Sequence, residues 1–168
     1  MHETGLSLEE QAVVSVDITK TFDKVEWPYL MQVLTAMGLG PKFLAWVKLL
    51  YTQPSGRVRM GRMQSDAWLI ERANRQGCPL CPLLFAVATE PLVIWTRSVM
   101  ASWGILVGGR AHLISLYADD TLFYLSNPVE SLQRLLAGLE QFGTVSGLKV
   151  NPDKSFLFLL GILMGKSV

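Results

Sequence analysis

Histidine and cysteine are scarce in this chain, with two of each in 168 residues, and the scarcity removes whole classes of chemistry. A closed zinc site needs about four ligands. Cys78 and Cys81 stand together as Cys-Pro-Leu-Cys, but His2 and His112 are remote from them in sequence. A thioredoxin-like redox site would need a preceding strand and a βαβ setting, which the residues around Cys78 do not offer. An excess of one charge is also lacking: 15 Lys and Arg against 14 Asp and Glu leave a net charge of +1. No global field draws the chain to a polyanion, so any such site must be local. No uninterrupted apolar run reaches membrane-spanning length, and residues 1–11 are acidic and polar, without the basic and apolar regions of a signal peptide. The expectation is a soluble intracellular protein, nuclear or cytoplasmic, with no membrane partner. A true phosphate loop is missing as well. Gly161-Ile-Leu-Met-Gly165-Lys166-Ser167 has three residues between its glycines where four are required, and the sequence reaches Val168 without the helix that would capture a phosphate.

What is present is apolar material, half of all residues, enough for one core of ordinary size. One domain is therefore expected over 12–160, between a polar tail at 1–11 and a second tail at 161–168. The chain is organised around residues 112–126. Two runs rich in β-branched and aromatic residues, Leu113-Ile114-Ser115-Leu116-Tyr117 and Thr121-Leu122-Phe123-Tyr124-Leu125, flank Ala118-Asp119-Asp120, and this reads as a β-hairpin with two carboxylates in its turn. A hairpin without a special task would use Asn-Gly or Asp-Gly there. Adjacent like charges repel, and a hard divalent cation bound through oxygen is their natural complement. A solvated acidic turn is the alternative.

Taken in order, Ala12-Val13-Val14-Ser15-Val16 reads as a buried strand that ends on Asp17, a candidate site residue. A helix follows with Trp27, Leu30, Leu34 and Met37 on one face, Pro28 in its first turn and Gly38 at its stop. Gly40-Pro41 opens a second helix, striped by Leu44, Val47 and Tyr51, with Phe43, Trp46 and Leu50 beside them as expected core. Residues 57–60 and 67–70 read as a hairpin around 61–66. Five arginines, Arg57, Arg59, Arg62, Arg72 and Arg75, face only Asp66 and Glu71 in this region, which suits either a phosphate-contacting edge or a solvated strand face. A loop at 75–82 leads into an apolar helix over 83–100 with Pro91 inside it. Asn127-Pro128-Val129-Glu130 supplies a cap, a proline at the first helical position and a capping-box glutamate. The helix they open carries Leu132, Leu135, Leu136, Leu139 and Phe142 on one face and ends at 143–147. Residues 156–160 read as a final strand.

Strands that pair side by side can bring Asp17 against Asp119 and Asp120, and such carboxylates can hold two Mg²⁺ ions about 3.5–4 Å apart for in-line phosphoryl displacement. At these residues the chain resembles the reverse transcriptases of LINE-type, non-LTR retrotransposons. Val16-Asp17-Ile-Thr-Lys20-Thr-Phe22-Asp23 is similar to that family's first catalytic block. Arg75-Gln76-Gly77-Cys78-Pro79-Leu80 with Pro82-Leu83-Leu84-Phe85 is similar to its second, and Tyr117-Ala118-Asp119-Asp120 to its third. Gly147-Leu-Lys149-Val-Asn151-Pro-Asp-Lys154-Ser155 is similar to a fourth. The resemblance runs from about residue 12 to 156, with the blocks in order.

The resemblance implies an α+β fold: a palm-like antiparallel sheet carrying the carboxylates, helices packed on one face, and the fingers and thumb of the family largely missing. It implies an RNA-directed DNA polymerase that uses an RNA template, a DNA primer and deoxynucleoside triphosphates. Two Mg²⁺ ions are the expected cofactor, with Mn²⁺ as an alternative. Asp17 and Asp119 would be metal ligands and Asp120 a supporting carboxylate. Phe22 stands where the family has a ring that excludes a ribose 2′-hydroxyl. Arg75, Gln76 and Gly77 match the loop that contacts incoming nucleotide and template, Tyr117 accompanies the acidic pair, and Lys154 matches a lysine assigned to pyrophosphate departure. The chain departs from the family at Ala73-Asn74, where Gly-Thr is common, and at Cys81, where Ser is common and would cap the following helix better. The expected polymerase is inactive by itself. The rival expectation is a catalytically silent relict that at most binds nucleic acid or protein.

Overall fold

The computed structural model describes residues 11–18, 24–70, 78–117 and 120–160. They divide into two compact units, one formed from residues 11–18, 92–117, 120–142 and 149–160, the other from 24–70, 78–91 and 143–148.

The first unit is built on a four-stranded antiparallel sheet. Its strands are β1 (Gln11–Asp17), β8 (Ile114–Tyr117), β9 (Asp120–Ser126) and β10 (Phe156–Leu160), in the order β10-β1-β9-β8. The period-2 pattern of β1 sets one face inward: Ala12, Val14 and Val16 are buried while Gln11, Val13, Ser15 and Asp17 stay half-exposed. Register carries the pattern across the ladder, since Ala12 opposes Leu125, Val14 opposes Phe123 and Val16 opposes Thr121, all buried. Full burial of each large apolar side chain stabilises the unit by about 1.5–3 kcal/mol. A one-residue slip would turn the whole set to solvent, so this register is strongly specified. Residues 92–142 add Leu92, Val93, Met100, Leu135 and Leu139 to the buried set.

A short hairpin not expected from the sequence also belongs here: β6 (Ile105–Val107) pairs with β7 (Arg110–His112). Its two-residue turn is Gly108-Gly109, with φ of 58° and 76°. Positive φ at both central positions is the geometry that keeps a tight hairpin twisted correctly, and glycine reaches it without strain.

In the second unit, α1 (Trp27–Ala36) and α2 (Pro41–Leu50) follow the expected starts at proline. Leu30 and Leu34 of the expected stripe are buried, and Trp27 stacks on Tyr51 with ring centroids 5.0 Å apart. Met37 is half-exposed because the helix has ended there, making it the C-cap. The expected aromatic core of α2 is not found. Only Val47 is buried, and Trp46 is 76% exposed, because Trp46 lies outside the narrow Leu44–Val47–Tyr51 stripe. The hairpin expected over 57–70 forms, with a much tighter turn. β2 (Ser55–Gly56) pairs with β5 (Trp68–Leu69), and β3 (Arg59–Met60) pairs with β4 (Met63–Gln64) around Gly61-Arg62. The register slips by one residue between the two pairs, a bulge. There the Ser65 hydroxyl accepts from the Val58 N–H at 3.0 Å.

Two long helices contribute residues to both units. α3 (Cys81–Val99) continues through Pro91, and α4 (Pro128–Ser146) carries buried Leu135 and Leu139. Leu136, expected on the same face, is 48% exposed. The cap of α4 differs from the capping-box expectation. Asn127 takes a left-handed φ of 47°, and its side-chain amide donates to Glu130 at 3.3 Å. Asparagine tolerates that conformation better than most residues. Among the described residues no helix is long and apolar enough to cross a membrane.

Candidate active site

Strand β1 delivers Asp17 to the end of the sheet, on the face opposite the buried Val14 and Val16. In β9 the residue directly opposite Asp17 is Asp120, and in β8 the residue opposite Asp120 is Tyr117. Three of the expected site residues thus form one row across three neighbouring strands, on the open face. Partners in such a ladder have Cβ atoms about 4.5–5.5 Å apart. Asp120 and Tyr117 are exposed, Tyr117 at 83%. The sequence reading put Asp120 in the turn; it is the first residue of β9 instead. Pairing with β1 holds it in the ladder and leaves only residues 118–119 between the two arms.

A short 3-10 turn at Pro152–Lys154 closes on the same end of β1. The Asn151 N–H donates to the Asp17 carbonyl at 2.8 Å, and the Asn151 side-chain amide donates to Asp17 Oδ2 at 3.1 Å. The Asp17 N–H in turn donates to Ser155 Oγ at 3.2 Å, and Ser155 Oγ donates to the Asn151 carbonyl at 2.7 Å. An isolated bridge between Ile18 and Val150 extends the contact. Lys154 is exposed on this turn, its N–H donating to the Asn151 carbonyl at 3.3 Å. Asn151 and Ser155 were part of the fourth sequence block but had no role assigned. The signal available was the Asn-Pro-Asp-Lys-Ser spacing, which places two short polar side chains at the ends of one turn.

Asp119, Phe22, Arg75, Gln76 and Gly77 lie outside the described residues. Among the described residues, no three His, Cys, Asp or Glu side chains gather as a metal site. Two opposed carboxylates still suit a hard cation. Like charges directly across a ladder are destabilising alone, and Mg²⁺ is usually held by one or two carboxylates together with waters and substrate phosphates. The open face leaves room for such partners. Of the arginine group, Arg57, Arg59 and Arg62 are exposed, and Arg72 and Arg75 lie outside the described residues. Cys78 and Cys81 are not joined in a disulfide. Cys81 is buried as the first residue of α3, one position past the cap that the sequence reading gave it.

Known proteins share this fold. The apo telomerase of Candida tropicalis, truncated from its C-terminal domain, superposes with a TM-score of 0.70 at 12% identity, covering 95% of this chain and 32% of that one. At that identity the likeness shows the fold. Sequence relatives are the transposon TX1 uncharacterized 149 kDa protein of Xenopus laevis, 31% identical over 95% of this chain, and the Pol polyprotein of the type-2 retrotransposable element R2DM of Drosophila melanogaster, 27% identical over 86%. The chain spans 12% and 13% of the length of those two proteins. These relatives are elements of the non-LTR kind that the sequence blocks resembled. The family model for reverse transcriptase (RNA-dependent DNA polymerase) matches residues 2–165. With that model matched over nearly the whole chain, the chain belongs to the reverse transcriptase family.

Proposed function

We propose that this chain is the catalytic palm of an RNA-directed DNA polymerase, which adds deoxynucleotides to a primer 3′-hydroxyl on an RNA template. The observation that carries the reading is the direct opposition of Asp17 and Asp120 on the open face of the sheet. In this reading Asp17 and Asp119 hold divalent metal, Mg²⁺ before Mn²⁺, and Asp120 supports them. Bound divalent ions supply the positive charge that acidifies a hydroxyl nucleophile and offsets charge on leaving pyrophosphate.

The chain's own residues supply position. Asp17 is fixed by the 151–155 turn, and Asp120 by two ladder partners. Tyr117, beside Asp120 and largely exposed, offers a ring to the primer end. In this reading Lys154, exposed on the turn that holds Asp17, donates a proton to departing pyrophosphate. Phe22 excludes a ribose 2′-hydroxyl, and Arg75, Gln76 and Gly77 contact incoming nucleotide and template.

The test is primer extension at fixed Mg²⁺ by a polymerase in which these residues are joined to the family's fingers and thumb. Asp17→Asn and Asp119→Asn abolish extension, since each removes an anionic ligand, and Asp120→Asn is milder. Unchanged extension by the Asp119 variant would sink the metal assignment.

A further inference from the structure

We propose that Asn151 and Ser155 are positioning residues that hold the Asp17 carboxylate in the orientation needed to bind metal; the inference rests on Asp17 being a metal ligand. The contacts are long-range, joining positions 134 and 138 residues apart, so they are made by the fold and not by local turn geometry. The turn is already attached to β1 through the main chain, by the Asn151 N–H on the Asp17 carbonyl and by the Ile18–Val150 bridge. The side-chain amide bond to Oδ2 adds a constraint on the carboxylate itself. It fixes one carboxylate oxygen, Oδ2.

The donor type matters. Lysine or arginine in its place would make a stronger, charge-assisted bond, but would also neutralise the carboxylate and compete with a cation. A neutral amide orients without neutralising. Asn151 is itself held ready. It precedes Pro152, which disfavours the helical region for the residue before it, and it sits at φ −98°, ψ 101°. Ser155 closes the ring, accepting from the Asp17 N–H and donating to the Asn151 carbonyl. The acid and its amide donor are thereby locked to each other. Hydrogen-bonding partners of this kind behind a metal ligand typically change metal affinity or activity about 10- to 100-fold when removed.

The experiment measures Mn²⁺ binding to the 168-residue chain by electron paramagnetic resonance, without nucleic acid, alongside NMR of the Asn151 side-chain amide in the metal-free chain. Asn151→Leu keeps the branching at Cγ and removes the donor, and Ser155→Ala keeps every main-chain bond of the turn. Far-UV circular dichroism checks that each variant folds. We expect Asp17→Asn to lose Mn²⁺ binding, and Asn151→Leu to weaken it about 10- to 100-fold, with Ser155→Ala weakening it in the same direction. In the wild-type chain the Asn151 amide protons exchange slowly, and their resonance moves in Asp17→Asn. If Asp17→Asn abolishes binding while Asn151→Leu and Ser155→Ala both bind like the wild type, the positioning role is overturned and the metal reading stands. A wild-type chain that binds no Mn²⁺ at millimolar concentration overturns the metal reading, and this inference with it. Should Asn151→Leu not fold, Ser155→Ala and the amide exchange decide: wild-type affinity in Ser155→Ala with fast amide exchange refutes the clamp.

Discussion

Gly138 lies buried in the middle of α4, and replacing it with alanine sets two effects of opposite sign against each other. In an unobstructed helix interior Gly→Ala stabilises by about 0.8–1.0 kcal/mol, through backbone entropy alone. Here a Cβ would fall on the six-membered ring of Trp95, against Cη2, Cζ2 and Cζ3, the last at 2.6 Å. Carbon atoms in good contact are about 3.5–4.0 Å apart, and Cη2 lies closer still than Cζ3, so the ring must move by about 2 Å. Overpacking of this kind typically costs about 1–3 kcal/mol. The clash therefore outweighs the propensity gain, and Gly138→Ala should destabilise the chain by about 1 kcal/mol after the two are combined. The assay is urea denaturation followed by circular dichroism, with the midpoint falling and the slope unchanged. In a Trp95→Ala background the obstruction is gone, so the same Gly138→Ala change should stabilise, and the cycle should show a coupling of about 0.5–3 kcal/mol. If Gly138→Ala raises the midpoint in the wild-type background, the close approach of Trp95 to this helix is wrong and the argument fails.

Other consequences can be checked as directly. In a polymerase of full length, Phe22→Val should raise the ratio of ribonucleotide to deoxyribonucleotide kcat/KM; a fixed ratio would make Phe22 an ordinary packing residue. The Tyr29 hydroxyl donates to the Ala88 carbonyl at 2.7 Å, and burial pushes its pKa above the usual phenol value. Because the folded pKa is raised, the stabilising difference is complete below about pH 10 and is lost as pH rises through the folded value. Stability above pH 10 should therefore fall more steeply in the wild type than in Tyr29→Phe, measured as unfolding midpoints from pH 9 to 11.5. The same variant at pH 7 should lose about 0.5–1.5 kcal/mol through the missing hydrogen bond.

Much of this architecture is legible in the sequence because it rests on short-range pattern. The alternation in β1, the proline starts of α1 and α2, and the bounds of β10 follow from residues within a few positions of one another. The β6–β7 hairpin is equally local, with Gly108-Gly109 between two three-residue arms as its turn signal, but arms so short carry too little alternation to mark them as strands. Depth of burial was less legible. A helical stripe gives a direction, and how wide a face is covered depends on what packs against it, so Val47 is buried while Trp46 is exposed. The acids themselves stood out as residue types at strand ends. That Asp120 would pair with Asp17 depended on register, and the amide from Asn151 depended on a contact 134 residues away; no local pattern encodes either.

The 168 residues taken alone should show little or no polymerase activity although Asp17, Asp119 and Asp120 are all present in the sequence. Phosphoryl transfer needs the triphosphate, primer end and template held in line as well as metal ligands, and such positioning is worth about 7–11 kcal/mol of barrier. The family places much of that grip in fingers and thumb, and the relatives matched here are several times longer than this chain. A net charge of +1 offers little to a duplex. The exposed surface points the same way. Every residue of β10 from Phe156 to Leu160 is at least 41% exposed, and β10 is an edge strand among the described residues. Trp46 and Leu49 are exposed on α2 as well. An apolar edge of this kind recruits other chains, so the purified chain should self-associate, as size-exclusion chromatography with light scattering would show. Primer extension is then compared between the chain alone and a chimera with fingers and thumb from an intact LINE-type enzyme. Robust extension by the chain alone refutes the expectation. Extension only in the chimera identifies a competent palm that needs its partners, and a folded but inactive chimera favours a silent relict whose acids no longer serve catalysis.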